Sequence, residues 1–267
     1  ESLMELTIYV AYPAGNTTIL VETPVPRHEY AGVAAKLLAL PRVHGEQVGF
    51  LTEPQNGGAV RLEMMGGEFC GNALRCAALW WICTNGKSGR LTVPVEISGC
   101  ADVLPVDYDP VSGDLTAQMP LPEKIEYLSA RGETLAAVCF DGIVHLIAHK
   151  PDDWMSEEEA KELLRGAAKR FDQAAAGLLL CDAAFTTLHP AVYVAATDTL
   201  TCENSCASGS AAVAAVAAIN KPDGVWPLEI AQPGGKLRTE ATVTGGSVTK
   251  LRVGGIAAMT DAVSAVI

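Results

Sequence analysis

The chain has 267 residues, 49% of them hydrophobic and 19% charged, with a formal net charge of −12. Such a composition excludes a disordered chain and provides for a large core, as one large domain or two of ordinary size. The negative charge argues against nucleic acid or an anionic membrane as partner, and eight cysteines in this length do not make a small secreted disulfide scaffold. No secretory signal is read in the opening Glu1-Ser2-Leu3-Met4 and the residues after it, and the most apolar run, near 211–219, is too short to span a bilayer. These readings favour a reducing, cytoplasmic setting.

In chain order, Leu6 to Val10 alternates and is rich in β-formers, predicting a strand. Pro13-Ala14-Gly15-Asn16 is a turn, and Thr17 to Glu22 returns as the second arm of a hairpin. Glu29 to Leu40 has helical spacing and stops before Pro41. Gln47 to Leu51 and Ala59 to Met64 read as strands around a Pro54–Gly58 turn, and Leu91 to Ile97, Ala101 to Val106 and Leu115 to Met119 as three more. Pro120-Leu121-Pro122 is the best linker candidate. Beyond it, Thr134 to Phe140 and Ile143 to His149 are strands, and Ser156-Glu157-Glu158-Glu159 has the capping-box pattern that starts a helix toward Phe171. Gly177 to Cys181, Ala191 to Ala196, Leu228 to Ala231, Lys236 to Thr244 and Val248 to Val253 complete the strands, with a turn at Gln232-Pro233-Gly234-Gly235.

Two stretches stand apart. Phe69-Cys70-Gly71-Asn72 opens an apolar run through Ile82, and Glu203-Asn204-Ser205-Cys206-Ala207-Ser208-Gly209 opens another through Ile219. Each sets a cysteine at the predicted N-terminus of a helix that is apolar nearly all round and therefore buried. First-turn N–H groups and the helix dipole favour a thiolate there, and they welcome a carboxylate ligand. The motif recurs about half a chain later, which suggests an internal duplication. The expected architecture is α/β of the α+β kind: two pseudo-symmetric domains, each a mostly antiparallel sheet wrapped around a central helix. The N-terminal domain, 1–120, carries Cys70 and is completed by 256–267; the C-terminal domain, 121–255, carries Cys206.

The other cysteines read differently. Cys76 is expected to be structural, and Cys83, Cys139 and Cys181 lie in apolar runs and are expected in the core. Cys202 precedes Cys206 by four residues, but no further Cys or His spacing completes a metal site. No pyridoxal lysine motif is recognisable.

The two cysteine motifs resemble those of the diaminopimelate epimerase-like, cofactor-independent amino-acid racemases. Tyr12-Pro13-Ala14-Gly15-Asn16-Thr17-Thr18, Glu46-Gln47-Val48-Gly49-Phe50, Ser98-Gly99-Cys100, Glu203-Asn204-Ser205-Cys206 and Gln232-Pro233-Gly234-Gly235 are similar to the histidine-racemase branch, which serves staphylopine-type metallophore biosynthesis. The resemblance implies catalysis by Cys70 and Cys206 in a cleft between two mirrored domains, with no cofactor and no metal. It implies substrate contacts from Asn16, Asn72 and Glu203; beside it, the N–H groups of the helix starts Gly71, Ala207 and Ser208 are read as the carboxylate site and Glu46 as a residue that orients the substrate amine or imidazole. His145 enters through the segment Gly142-Ile143-Val144-His145, which keeps only the glycine and histidine of the diaminopimelate pattern. Ala73 stands where that branch has glycine, and Thr197 to Glu203 lacks its arginine. These departures speak against diaminopimelate as the substrate.

The expected reaction is proton removal from Cα by one thiolate and return by the other thiol on the opposite face. A histidine substrate, a small-molecule partner and a homodimer are what the resemblance implies. Diaminopimelate or another amino acid is the alternative within the chemistry, and a non-catalytic small-molecule binder on the same fold is the alternative of another class. Isomerases related to phenazine biosynthesis share the fold but lack the paired cysteines.

Overall fold

The computed structural model describes residues 3–267; Glu1 and Ser2, where the stretch read for a secretory signal begins, lie outside the described residues. The chain forms two compact units, one made of the residues through Gln118 together with Gly254–Ile267, the other of Met119–Val253.

In the first unit, β1 (Glu5–Tyr12), β2 (Thr18–Val21), helix α1 (Tyr30–Leu38), β3 (Gln47–Thr52), β4 (Val60–Met64), helix α2 (Gly71–Thr84), β5 (Leu91–Ile97), β6 (Leu104–Asp109) and β7 (Asp114–Met119) follow in order. β1 and β2 form the expected hairpin, and β2 and β3 run parallel with α1 as the crossover. β3 and β4 are antiparallel, and β4 and β5 are again parallel, with α2 between them. A parallel pair needs such a crossover, because a tight turn returns a strand only antiparallel.

The inner strands are buried on both faces, so alternation decides which helix each side chain meets. Ile19, Val21, Val48 and Phe50 pack on the α1 side with Val33 and Leu37. Leu20, Leu51 and Leu62 pack on the α2 side with Leu74, Ala77 and Ala78. Helix α2 is buried along most of its length, as its composition predicts.

The second unit has β8 (Lys124–Ala130), β9 (Glu133–Phe140), β10 (Ile143–Ala148), helix α3 (Glu157–Phe171), β11 (Ala175–Cys181), β12 (Leu188–Val194), β13 (Thr199–Cys202), helix α4 (Ala207–Ala217), β14 (Gly224–Gln232), β15 (Gly235–Thr244) and β16 (Ser247–Ile256), whose last residues pass into the first unit. β8 to β13 form one sheet in chain order. β10 and β11 are its parallel pair, with α3 as crossover, and the other pairings are antiparallel. The Ser156 capping box is present in full. Val144, Leu146, Leu178 and Leu180 face α3. The alternate residues, His145 and Leu179 among them, point to the opposite face, where a Cβ on Gly209 of α4 would meet Leu179 at 2.8 Å. β14 and β15 form the hairpin predicted at Gln232–Gly235.

Two expectations shift, and four strands lie where none was read. The strand read from Ala101 begins at Leu104, because Ala101 and Asp102 lie exposed in the connection. The half-exposed β8 and the exposed edge β13 carry no apolar alternation strong enough to announce them. The short β17 (Ala258–Met259) and β18 (Val263–Val266) pair with β1 and bring the end of the chain back to the first unit. Cys83, expected in the core, is exposed near the end of α2.

Candidate active site

Cys70 is the N-cap of α2, at φ −142° and ψ 110°, and its sulfur accepts a hydrogen bond from Ala73 N at 3.5 Å. The approach is fixed from behind. Ser98 donates to Glu68 O at 2.7 Å and accepts from Met64 N at 2.9 Å. Gly99, at φ +72°, lies so close that a Cβ there would meet Phe69 N at 2.5 Å, so both conformation and contact demand glycine.

Around Cys70 the polar groups are tied together. Asn72 is buried and donates from Nδ2 to Asn16 Oδ1 at 2.7 Å. Arg75, one turn on and fully buried, donates to Asn72 Oδ1 at 3.2 Å and to the carbonyls of Leu115, Pro13 and Gly255. Asn16 closes a turn in which Ala14, Gly15 and Asn16 all have positive φ. For Ala14 that conformation is disfavoured, and such local strain persists where the surroundings over-determine it. Glu46 is exposed just before β3, and its Oε2 accepts from Thr17 N at 2.7 Å, next to Asn16. Asn16, Glu46, Gly71 and Asn72 are thus brought together with Cys70. Gln47 joins them: its Nε2 lies 3.3 Å from Cys70 Sγ.

Cys206 is the N-cap of α4, at φ −138° and ψ 111°, and its sulfur accepts from Gly209 N at 3.3 Å. Its backbone is held from both ends. Cys206 N donates to Gln232 Oε1 at 2.9 Å, and Ser210 Oγ donates to Cys206 O at 2.7 Å. Gln232 Nε2 donates to Ser210 Oγ at 2.8 Å, which closes the loop. Burial pushes the Cys206 thiol well above its ordinary range, and the Glu203 carboxylate, hydrogen-bonded to the thiol, pushes it the same way; the Ser208 hydroxyl and Gly209 N–H pull against them.

Behind Ser208 stands His145. Its Nε2 is 2.8 Å from Ser208 Oγ, and Ser208 Oγ is 3.6 Å from Cys206 Sγ. The ring is fully buried, which holds its pKa down to about 3, so it is neutral. Its Nδ1 has no hydrogen-bond partner among the described residues. A buried orphan N–H is rarer than a bare lone pair, which assigns the proton to Nε2. His145 then donates to Ser208, whose own hydrogen is left to point at the cysteine. Gly177, beside His145 in the β10–β11 register, is what makes room: a Cβ there would overlap the imidazole.

Reading the sequence missed Gln47, Thr18, Arg75 and Gln232 as parts of the site. Gln47 and Thr18 left a signal, being polar at the starts of strands otherwise apolar. Cys76, in contrast, is packed away, and burial lifts its thiol to about 12. Among the described residues no three His, Cys, Asp or Glu side chains converge to hold a metal.

The fold is shared with known enzymes. The crystal structure of the Bacillus anthracis phenazine biosynthesis protein of the PhzF family superposes with a TM-score of 0.66 at 14% identity over 100% of both chains. That of a hydroxyproline epimerase from Agrobacterium vitis gives 0.67 at 10% identity, covering 98% of this chain and 91% of the other. The chain thus has the α/β fold of the racemase–epimerase and PhzF class. Within that class residues 5–262 match the model described as histidine racemase CntK N-terminal domain. A histidine racemase of Fusobacterium nucleatum is 32% identical over 208 residues, 75% of this chain and 77% of that protein. One from Staphylococcus aureus is 28% identical over 235 residues, 84% of each. The chain belongs to the histidine racemase family and is an isomerase.

Proposed function

We propose that this protein interconverts L- and D-histidine without pyridoxal phosphate, using Cys70 and Cys206 as a thiolate and thiol on opposite faces of the substrate's Cα. The observation that carries the reading is the repeated cysteine N-cap. Two sulfurs, each at the start of a buried helix and each accepting an N–H from its own first turn, suit groups that must alternate between S⁻ and S–H.

The thiolate takes the Cα proton, and the electron pair left on Cα spreads into the α-carboxylate. The other thiol gives its proton to the opposite face. The N–H groups at the helix starts, Gly71 and Asn72 or Ala207 and Ser208, receive the carboxylate and stabilise the charge that develops on it. In other enzymes one such donor is worth about 2.7–4 kcal/mol. Asn16 and Asn72 orient the amino-acid end. Glu203 and Glu46 bind the cationic amine or imidazole, and His145 acts behind Ser208. Likeness to the histidine racemases supports the substrate, and with it a homodimer in the cytoplasm that supplies D-histidine to a metallophore pathway.

The test is incubation of the pure protein with L-histidine in D2O with no added cofactor, following chirality and α-deuterium together. D-histidine carrying α-deuterium is expected. Turnover of diaminopimelate or another amino acid, with histidine untouched, would move the substrate and keep the two cysteines. No exchange with any amino acid under reducing conditions would leave a binding protein.

A further inference from the structure

The strands β2 and β3 bring buried polar side chains up to Cys70. Gln47 opens β3 and lies beside Thr18 in the parallel β2–β3 register. Both face the α2 side, and both are buried, Thr18 fully and Gln47 to 9% exposure. The direction of the hydrogen bonds can be read from one end. Thr18 Oγ1 donates its only hydrogen to Asn16 O at 2.7 Å. The same oxygen therefore accepts from Gln47 Nε2 at 2.9 Å. One amide hydrogen is used there, and the other is left for Cys70 Sγ at 3.3 Å, with Asn16 O a longer alternative at 3.4 Å. Turning the amide over would set Oε1 against an oxygen whose hydrogen is already committed, so the nitrogen must face the sulfur. With Ala73 N, two N–H groups converge on this one sulfur. A thiolate accepts such bonds far better than a thiol.

We propose that Gln47 is a positioning residue that holds Cys70 as the thiolate in the free enzyme, making Cys70 the resting base and Cys206 the resting acid. This rests on the reading of the two cysteines as the proton-transfer pair. After one turnover Cys70 carries the proton taken from Cα and Cys206 is the thiolate. A reverse turnover, or proton exchange with water, restores the starting form.

The test needs no turnover. The full chain is alkylated with iodoacetamide across a pH series, and Cys70 and Cys206 are quantified separately by peptide mass spectrometry. In the unaltered protein Cys70 is expected to react first as pH rises. In Gln47→Leu its midpoint is expected to rise by about one pH unit, so that labelling at pH values below both midpoints slows roughly tenfold while the Cys206 profile stays put. Gln47→Glu, which swaps a donor for a negative charge, is expected to shift it further. A Cys70 profile unchanged in both variants, with melting unchanged, would overturn the proposal. So would Cys206 reacting before Cys70 in the unaltered protein, a measurement that needs no variant to fold. If the Gln47 shift is seen but no amino acid exchanges its α-proton, the positioning role stands and the racemase reading falls.

Discussion

Cys70 and Cys206 enter their helices with backbone angles that agree within 4° in φ and 1° in ψ, yet their sulfurs meet different surroundings. Around them the order of elements repeats. An antiparallel hairpin, a parallel crossover carrying α1 or α3, a second antiparallel pair and then the cysteine helix occur in both units. The units part company after the helix. β5 pairs with β4 over three residues, whereas β14 joins the corresponding region by the isolated Thr187–Ala231 bridge. The sulfurs differ more. Cys70 is partly exposed and receives an amide N–H from Gln47. Cys206 is 6% exposed, beside the Glu203 carboxylate and a serine backed by a buried histidine. A duplicated backbone thus supplies two equivalent positions, and side chains from neighbouring strands make them unequal.

The largest expected effect tests the equivalence. Cys70→Ser and Cys206→Ser are each expected to cut racemisation by roughly 10³-fold or more, since a hydroxyl is a far poorer base than a thiolate at neutral pH. Full activity in either variant, measured by polarimetry, would end the two-base scheme. The next effect is smaller and one-sided. Glu203→Gln removes the nearby charge that helps keep Cys206 protonated and offers an amide N–H that can donate to a thiolate, so its thiol pKa is expected to fall and its alkylation near pH 8 to quicken, with Cys70 unchanged. An unchanged Cys206 rate would show that burial alone sets this end.

Much of this pairing was legible in the sequence. The cysteine at the mouth of an apolar run is a local signal, because helix propensity, capping and all-round burial are written in adjacent residues around Cys70 and Cys206. The same holds for α3, whose capping box and apolar face lie in one window, and for the turns at Asn16 and Gln232. The inequality of the two ends was not legible. Gln47 reaches Cys70 from 23 residues away, and His145 reaches Ser208 from 63. Contacts at such separations depend on strand register, which no local pattern encodes. Arg75 was hidden for the same reason: within an apolar helix it reads as a solvated exception, and only the fold supplies the carbonyls of Pro13, Leu115 and Gly255.

The buried histidine gives a third, thermodynamic handle on the Cys206 end alone. His145 is neutral when folded, with a pKa near 3, but takes a proton near pH 6.5 when unfolded. Between those values the unfolded state binds more protons, so stability is fully present above about pH 6.5 and falls as the pH drops toward 3. The expected slope from this one group approaches about 1.4 kcal/mol per pH unit in urea denaturation. His145→Asn is expected to remove it. A slope unchanged by that substitution would mean that the imidazole is not sealed behind Ser208.

The smallest expected effects come from a pair of glycines that separates room for the imidazole from general tolerance of a methyl group. Gly177→Ala places a Cβ into the His145 ring, next to β10, where neither backbone has freedom to move apart. It is expected to destabilise by about 1–3 kcal/mol, as overpacking does, and to alter the Cys206 alkylation profile as the ring shifts away from Ser208. Gly166→Ala in α3 meets nothing within 4 Å and is expected to stabilise by about 0.5–1 kcal/mol through helix propensity, leaving both thiols as they were. If both substitutions were neutral, the space beside Gly177 would be larger than the contact implies. The histidine would then be free to move, and the firm backing of Ser208 that distinguishes Cys206 from Cys70 would be lost.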